Sequence, residues 1–258
     1  MLPFKALIFD VDGTLADTER DGHRVAFNAA FADAGLSWEW TVDLYGELLA
    51  VTGGKERIRY YIEHWDPSFE RPSDLAGFIA ALHRSKTERY ISLLQAGGIP
   101  LRRGVLRLLR EAHGCGIRLA IATTTTPENV TYLLQNSGET GLEDWFEVIA
   151  AGDIVPNKKP APDIYQLALE YLALAPVDCV AFEDSENGVR AALGAGLNAL
   201  VVTENGYSKG QDFTGAALVV DHFGDSGRQP QVRHGAMTEI QQVDLELLGR
   251  LHQLVYGD

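Results

Sequence analysis

Four consecutive apolar residues, Ala6-Leu7-Ile8-Phe9, run straight into Asp10-Val11-Asp12-Gly13-Thr14. An unbroken apolar run of that length suits a strand buried on both faces, with polar chemistry at its carboxyl end. The pattern then turns helical. Apolar residues recur at spacings of three and four over residues 21–34, 55–65 and 75–94, with breakers at Gly35, Gly53-Gly54 and Pro67 between them. After Gly97-Gly98-Ile99-Pro100 the pattern alternates. Strands are expected at 118–122, 146–150, 179–182 and 199–202, with a weaker one at 218–220. Helices are expected at 104–113, 128–136, 161–172 and 187–195. Repeated strand–helix alternation predicts an α/β fold: a parallel sheet with helices on both faces and ligands beyond the carboxyl ends of its strands.

The interruption between the first strand and the rest divides the chain. Residues 1–16 and 97–258 are expected to form the α/β core, and residues 17–96 a helical cap inserted into it. Residues 222–237 are rich in Gly, Gln, Arg and His and read as a loop or mobile segment. A last amphipathic helix is expected over 243–255.

Composition narrows the partners. With 258 residues and 46% hydrophobic content, the chain can bury a substantial core. Its formal net charge of -14 repels phosphate backbones and argues against nucleic acid as a partner. Any phosphate site must therefore work through local Lys, Arg, metal or backbone N–H groups. The two cysteines, Cys115 and Cys179, form no CxxC pair and read as reduced thiols. There is no leader pattern at the start and no apolar run near the ~20 residues a membrane helix needs, so a cytoplasmic protein without membrane contact is expected. A monomer is compatible with everything in the sequence.

Four strand ends carry candidate chemistry. In Asp10-Val11-Asp12-Gly13-Thr14 a glycine turn lets two carboxylates approach one substrate from different angles. One carboxylate can attack phosphorus to give an aspartyl-phosphate; the other can protonate the leaving oxygen and then deprotonate water. Thr123, with Thr124 beside it, ends the 118–122 strand, where a hydroxyl and backbone N–H groups can hold a phosphoryl oxygen. Lys158-Lys159-Pro160 precedes a helix, and a lysine there can balance charge among carboxylates. Glu183-Asp184 ends another buried strand. Four acidic groups gathered at one end of a sheet call for a cation, and an all-oxygen set suits magnesium.

In this order the residues resemble the four motifs of the haloacid dehalogenase superfamily: Asp10 to Thr14, Thr123, Lys159, and Glu183-Asp184. The resemblance implies a Rossmann-like core with a helical cap inserted after the first strand, Asp10 as the nucleophile and Asp12 as the general acid/base. It implies that Mg2+ is held by the Asp10 side chain, the Asp12 backbone carbonyl and Asp184, with Glu183 close by or acting through water. The second aspartate, Asp12, favours phosphoryl transfer over dehalogenation, since a halide leaving group needs no proton.

Further stretches are similar to the CbbY-type phosphatases: Glu19, Thr52-Gly53-Gly54-Lys55-Glu56-Arg57, His83 to Arg89, Ala122 to Thr125 with Asn129, and Lys158 to Tyr165. Members of that group remove a phosphate from xylulose 1,5-bisphosphate, an inhibitor of the carbon-fixing enzyme of the Calvin cycle. The resemblance extends to about Val202 and is weaker from Thr203 onward. It implies a small sugar phosphate as substrate. Its second phosphate needs a remote cationic clamp, for which Arg84 offers a planar fork and Lys55 a point charge beside the Gly53-Gly54 turn. Glu19 is expected to accept sugar hydroxyls and Tyr45 to flank them, with His83 and Lys86 as neighbours. Two alternatives stay open at this point: a β-phosphoglucomutase-like mutase sharing the same core, and a non-catalytic sugar phosphate binder.

Overall fold

The computed structural model describes residues 2–51, 53–235 and 237–257. The chain divides into two compact units, Thr18–Ile99, and Met1–Asp17 together with Pro100–Asp258.

The unit Thr18–Ile99 is helical. A π-helical turn, Thr18–His23, leads into α1 (Arg24–Asp33), followed by α2 (Val42–Leu48), α3 (Gly54–His64) and α4 (Leu75–Gln95). Helix α2 was not expected from the pattern. It is short, buries only Tyr45 and Leu48, and starts on the side chain of Thr41, which accepts a hydrogen bond from the Leu44 N–H. Asp74 caps α4 in the same way through the Gly77 N–H. The centre of the unit is aromatic: Phe27, Phe31 and Tyr45 surround Trp40, which is fully buried. Asn28 holds the Trp40 backbone: its side-chain oxygen accepts the Trp40 backbone N–H and its nitrogen donates to the Trp40 backbone carbonyl.

The other unit is built on a seven-stranded sheet. Its strands are β1 (Ala6–Phe9), β2 (Arg118–Ala122), β3 (Phe146–Ala150), β4 (Cys179–Glu183), β5 (Leu200–Thr203), β6 (Leu218–Val220) and β7 (Val232–Gly235). They lie in the order β3-β2-β1-β4-β5-β6-β7, and all neighbours are parallel except β6 and β7. Helices α5 (Val105–Gly114), α6 (Pro127–Gln135), α7 (Asp163–Leu172), α8 (Glu186–Gly194) and α9 (Leu245–Tyr256) complete the unit. The parallel α/β core is thus as expected. Leu7, Ile8 and Phe9 have no exposed surface, and burying each contributes about 1.5–3 kcal/mol.

The segment read as a loop is corrected in part. Residues Val232–Gly235 form an antiparallel edge strand on β6. An edge strand with Arg233 and His234 exposed needs no apolar run, so the hydrophobic pattern carried no sign of it. Among the described residues, no helix is long and apolar enough to cross a membrane.

Candidate active site

The order of the sheet dictates where polar residues gather. Strands β2 and β4 flank β1, with Phe9 opposite both Ile121 and Phe182. The next residue along β1 is Asp10, whose N–H donates to the Phe182 carbonyl at 3.0 Å. Glu183 follows Phe182 on one side and Ala122 follows Ile121 on the other. The chain then leaves the sheet through Gly13, whose φ of 85° is left-handed.

Lys159 joins these strand ends. Its Nζ donates to Asp10 Oδ1 at 2.7 Å, to Glu183 Oε1 at 2.6 Å and to the Ala122 carbonyl at 3.0 Å. Tyr165, on α7, donates its hydroxyl to the same Glu183 oxygen at 2.6 Å. Glu183 is fully enclosed, and its other oxygen accepts the Asp184 N–H.

Burial shapes the charges. Burial would lower the Lys159 ammonium, but the carboxylates of Asp10 and Glu183 overcome it and hold the pKa above the usual lysine range. Burial raises the Glu183 carboxyl, with Lys159 opposing and Asp10 adding to the rise. Asp184 is pushed well up, first by burial and then by Asp10 and Glu183. Burial and the neighbouring Glu183 likewise raise the Tyr165 hydroxyl.

One ligand oxygen from each of Asp10, Glu183 and Asp184 lies within 4.8 Å of the others. This all-oxygen donor set, with two carboxyls pushed toward protonation, fits a small hard cation that would relieve the repulsion. The side chain of Asp12 is not in that set.

Thr123 follows β2, is buried, and its hydroxyl accepts the Thr125 N–H at 3.2 Å. Thr124 is half-buried in the loop before α6, whose first residue is Pro127.

Within the helical unit, Glu19 and Tyr45 meet. The Tyr45 hydroxyl donates to Glu19 Oε2 at 2.6 Å and accepts from Arg57 at 3.0 Å. Arg57 also donates to the Leu48 and Val51 carbonyls. Lys86 donates to Nδ1 of His23 at 2.8 Å. Burial works against the Glu19 carboxylate, but His23, the Tyr45 hydroxyl, Arg57 and Lys86 prevail and lower its pKa. Gly53 precedes α3 with a φ of 94°, and Gly54 packs against the His83 ring. Lys55 and Arg84 are exposed. Arg84 lies across α4 from the buried Lys86, so the structure does not draw it into the Glu19 cluster. Thr52, which opens the glycine motif, lies outside the described residues.

Sequence reasoning did not single out His23, Arg102 or Asn205, and it quoted Arg57 and Tyr165 only within stretches of resemblance, with no role of their own. A signal existed for two of the buried cations. Arg57 falls on the buried stripe with Ile58, Tyr61 and Ile62, and Lys86 on the one with Ile79, Leu82 and Tyr90. A cation at a core position of a helix must have a partner.

A parallel sheet whose central strands end in three carboxylates, bridged by a buried lysine from the loop before α7, has the form of a Rossmann-like enzyme core. Comparisons agree. Residues 4–196 match the haloacid dehalogenase-like hydrolase family. The plasmid-encoded protein CbbY of Cupriavidus necator is 46% identical over 248 residues, spanning 96% of each chain. A crystal structure of mutant CbbY from Rhodobacter sphaeroides, in complex with xylulose 1,5-bisphosphate, is 47% identical. It superposes with a TM-score of 0.70 over 86% of this chain and 95% of that one. The phosphorylated carbohydrates phosphatase of Thermotoga maritima is 31% identical over 83% of this chain and 92% of its own. The chain belongs to the haloacid dehalogenase-like hydrolases and, within them, to the CbbY group.

Proposed function

We propose that this enzyme is a magnesium-dependent phosphatase that removes one phosphate from a small sugar bisphosphate of the xylulose 1,5-bisphosphate kind. The observation that carries the reading is the pairing of Asp10 with Lys159 beside Glu183 and Asp184. That arrangement offers a carboxylate paired with a fixed cation, and a metal-ligand set, at one end of the sheet. The xylulose 1,5-bisphosphate complex of the related CbbY supports the choice of substrate.

In the proposed reaction a carboxylate oxygen of Asp10 attacks phosphorus and the bond to the sugar oxygen breaks. Asp12 gives its proton to the departing oxygen, then takes one from a water that attacks the aspartyl-phosphate. Inorganic phosphate leaves and Asp10 is regenerated, so the sum is one sugar bisphosphate and one water giving a sugar monophosphate and inorganic phosphate. Lys159 balances charge throughout, and Thr123 and Thr124 hold the phosphoryl oxygens. Magnesium, held by Asp10, Asp184 and the Asp12 carbonyl with Glu183 beside it, would screen the anionic phosphate from the attacking carboxylate. Lys55 beside the Gly53-Gly54 turn, and Arg84, receive the distal phosphate. Glu19 and Tyr45 meet the sugar hydroxyls.

The test is phosphate release from a panel of sugar mono- and bisphosphates, with Mg2+ and with EDTA, for wild type and Asp10→Asn. The expected result is Mg2+-dependent release that prefers bisphosphates and disappears in Asp10→Asn. Release that persists in EDTA, or an isomerised sugar phosphate as the product, would overturn the proposal.

A further inference from the structure

The stretch after β5, beyond the residues 4–196 that match the hydrolase family, contains a group with no part in the steps above. The chain turns through Glu204 to Ser208, and two side chains build the turn. Asn205 Oδ1 accepts the N–H groups of Tyr207 at 2.8 Å and Ser208 at 3.1 Å, while Ser208 Oγ accepts the Asn205 N–H at 3.0 Å. These bonds fix the carboxamide by its oxygen and so aim its nitrogen. That nitrogen donates to Asp184 Oδ2 at 2.6 Å.

The surroundings leave the amide little freedom. A Cβ at Gly13 would collide with both Asp184 Oδ2 and Asn205 Nδ2, so the Asp10 loop, the end of β4 and this turn meet at one point. Arg102 ties the same pieces together. Its guanidinium donates to the Gly13 carbonyl, to that of Thr203 at 3.0 Å, of Glu204 at 2.8 Å and of Asp221 at 2.9 Å. Asp17 balances its charge at 3.2 Å.

We propose that Asn205 is a positioning residue for metal binding. Its amide occupies one oxygen of Asp184 and fixes the plane of that carboxylate, which leaves the second oxygen for the cation shared with Asp10. This inference rests on the metal-dependent reading of the site. Residue type matters here. A serine keeps an acceptor for the turn but is too short to reach Asp184, and an alanine keeps neither.

The experiment is Mn2+ titration of the full chain, with free ion read by electron paramagnetic resonance, for wild type, Asn205→Ala, Asn205→Ser and Ser208→Ala. Phosphate release is measured in parallel over a range of Mg2+ concentrations. Loss of a partner that orients a metal ligand weakens metal binding roughly 10- to 100-fold. The expected result is a rise in Kd of that order for both Asn205 variants, with the apparent KM for Mg2+ rising far more than kcat falls at saturation. Ser208→Ala loosens the same turn without touching Asp184 and keeps Kd near wild type. Unchanged Mn2+ affinity in the Asn205 variants overturns the proposal, as does an equal loss in Ser208→Ala. If Asn205→Ala does not fold, Asn205→Ser, which keeps the turn, decides the matter. A wild type that binds no Mn2+ at all would instead remove the metal-dependent reading, and the proposal with it.

Discussion

The ammonium of Lys159 stands 2.7 Å from Oδ1 of Asp10, with both side chains no more than 10% exposed. The pair is not isolated, because Glu183 lies 2.6 Å from the same nitrogen. One cation thus serves two buried carboxylates, and a third, Asp184, is close by. Such an arrangement suits chemistry more than stability, since desolvating charges costs about as much as pairing them returns.

Lys159→Met keeps the length of the side chain and removes its charge. Breaking a buried pair by deleting one partner costs about 3–5 kcal/mol, because the remaining charges stay buried. Urea unfolding in EDTA should show a loss of that order. Added Mg2+ should recover much of it, since the ion supplies positive charge to the same carboxylates. Phosphate release should stay depressed by about 100-fold or more even with Mg2+. Equal stability of variant and wild type in EDTA would contradict the ion-pair account.

Gly13→Ala tests the turn. A left-handed φ of 85° strains any other residue by about 1–3 kcal/mol, and here the added methyl group also runs into Asp184 and Asn205. Thermal unfolding should fall accordingly, and Mn2+ affinity should drop because Asp184 is displaced. Wild-type Mn2+ affinity in a folded Gly13→Ala protein would show that Asp184 is not held as described.

The parts of this molecule that were legible in the sequence share a physical cause. β1, β2 and β4 are buried on both faces, so each is an unbroken apolar run, and polar residues that stop such a run stand out. Asp10, Thr123, Glu183 and Asp184 were visible for that reason; the spacing pointed only to the Lys158-Lys159 pair before Pro160, and the family resemblance picked Lys159 from it. α2 and β7 were not visible, because one is a short helix with two buried residues and the other an exposed edge. Asn205 could not be found by pattern, since asparagine after a strand is an ordinary turn residue. Arg102 sits just after the Gly97-Gly98-Ile99-Pro100 breaker, where its carbonyl partners from distant segments leave no trace in local spacing.

Arg102→Lys should be far from conservative. The guanidinium reaches four carbonyls from three segments in fixed directions, with its side chain 8% exposed. An ammonium has three donors and no planar fork, so it cannot satisfy the set. Each buried carbonyl left without a donor costs about 1–3 kcal/mol. Urea unfolding should show a loss of at least about 2 kcal/mol by that reckoning. The apparent KM for Mg2+ should also rise, because the Asp10 loop and the Asn205 turn are no longer tied together. A variant with wild-type stability would show that water replaces the guanidinium without penalty.

His23 gives the helical unit a dependence on pH whose sign can be worked out. Its ring stacks on Tyr90 at 3.9 Å, and its Nδ1 accepts from Lys86, whose ammonium also lies 5.1 Å from the Phe27 and Tyr90 ring centres. An acceptor nitrogen carries no proton, so the imidazole is neutral with its hydrogen on Nε2. Burial lowers its pKa from 6.5 to about 3; the Glu19 carboxylate opposes the change, and Lys86, Arg57 and His83 reinforce it. The unfolded chain therefore binds a proton in the interval where the folded one does not. Stability from this group is complete above pH 6.5 and is lost as pH falls toward 3, at no more than about 1.4 kcal/mol per pH unit. Glu19, whose pKa is lowered, gives stability that is lost in the same direction, but only as pH falls below its ordinary 4.5. Between pH 4.5 and 6.5 the slope from this cluster belongs to His23 and to His83, whose pKa burial and Lys86 also lower; Glu19 adds nothing there. Trp38, Trp40 and Trp65 are three of the four tryptophans and lie in the helical unit, so their fluorescence follows its unfolding. Urea unfolding of wild type and His23→Asn should differ by an amount that shrinks steadily as pH is lowered through this interval, because the variant has no imidazole to charge. A difference that stays constant with pH would mean that His23 takes up a proton in the folded protein as readily as in the unfolded one.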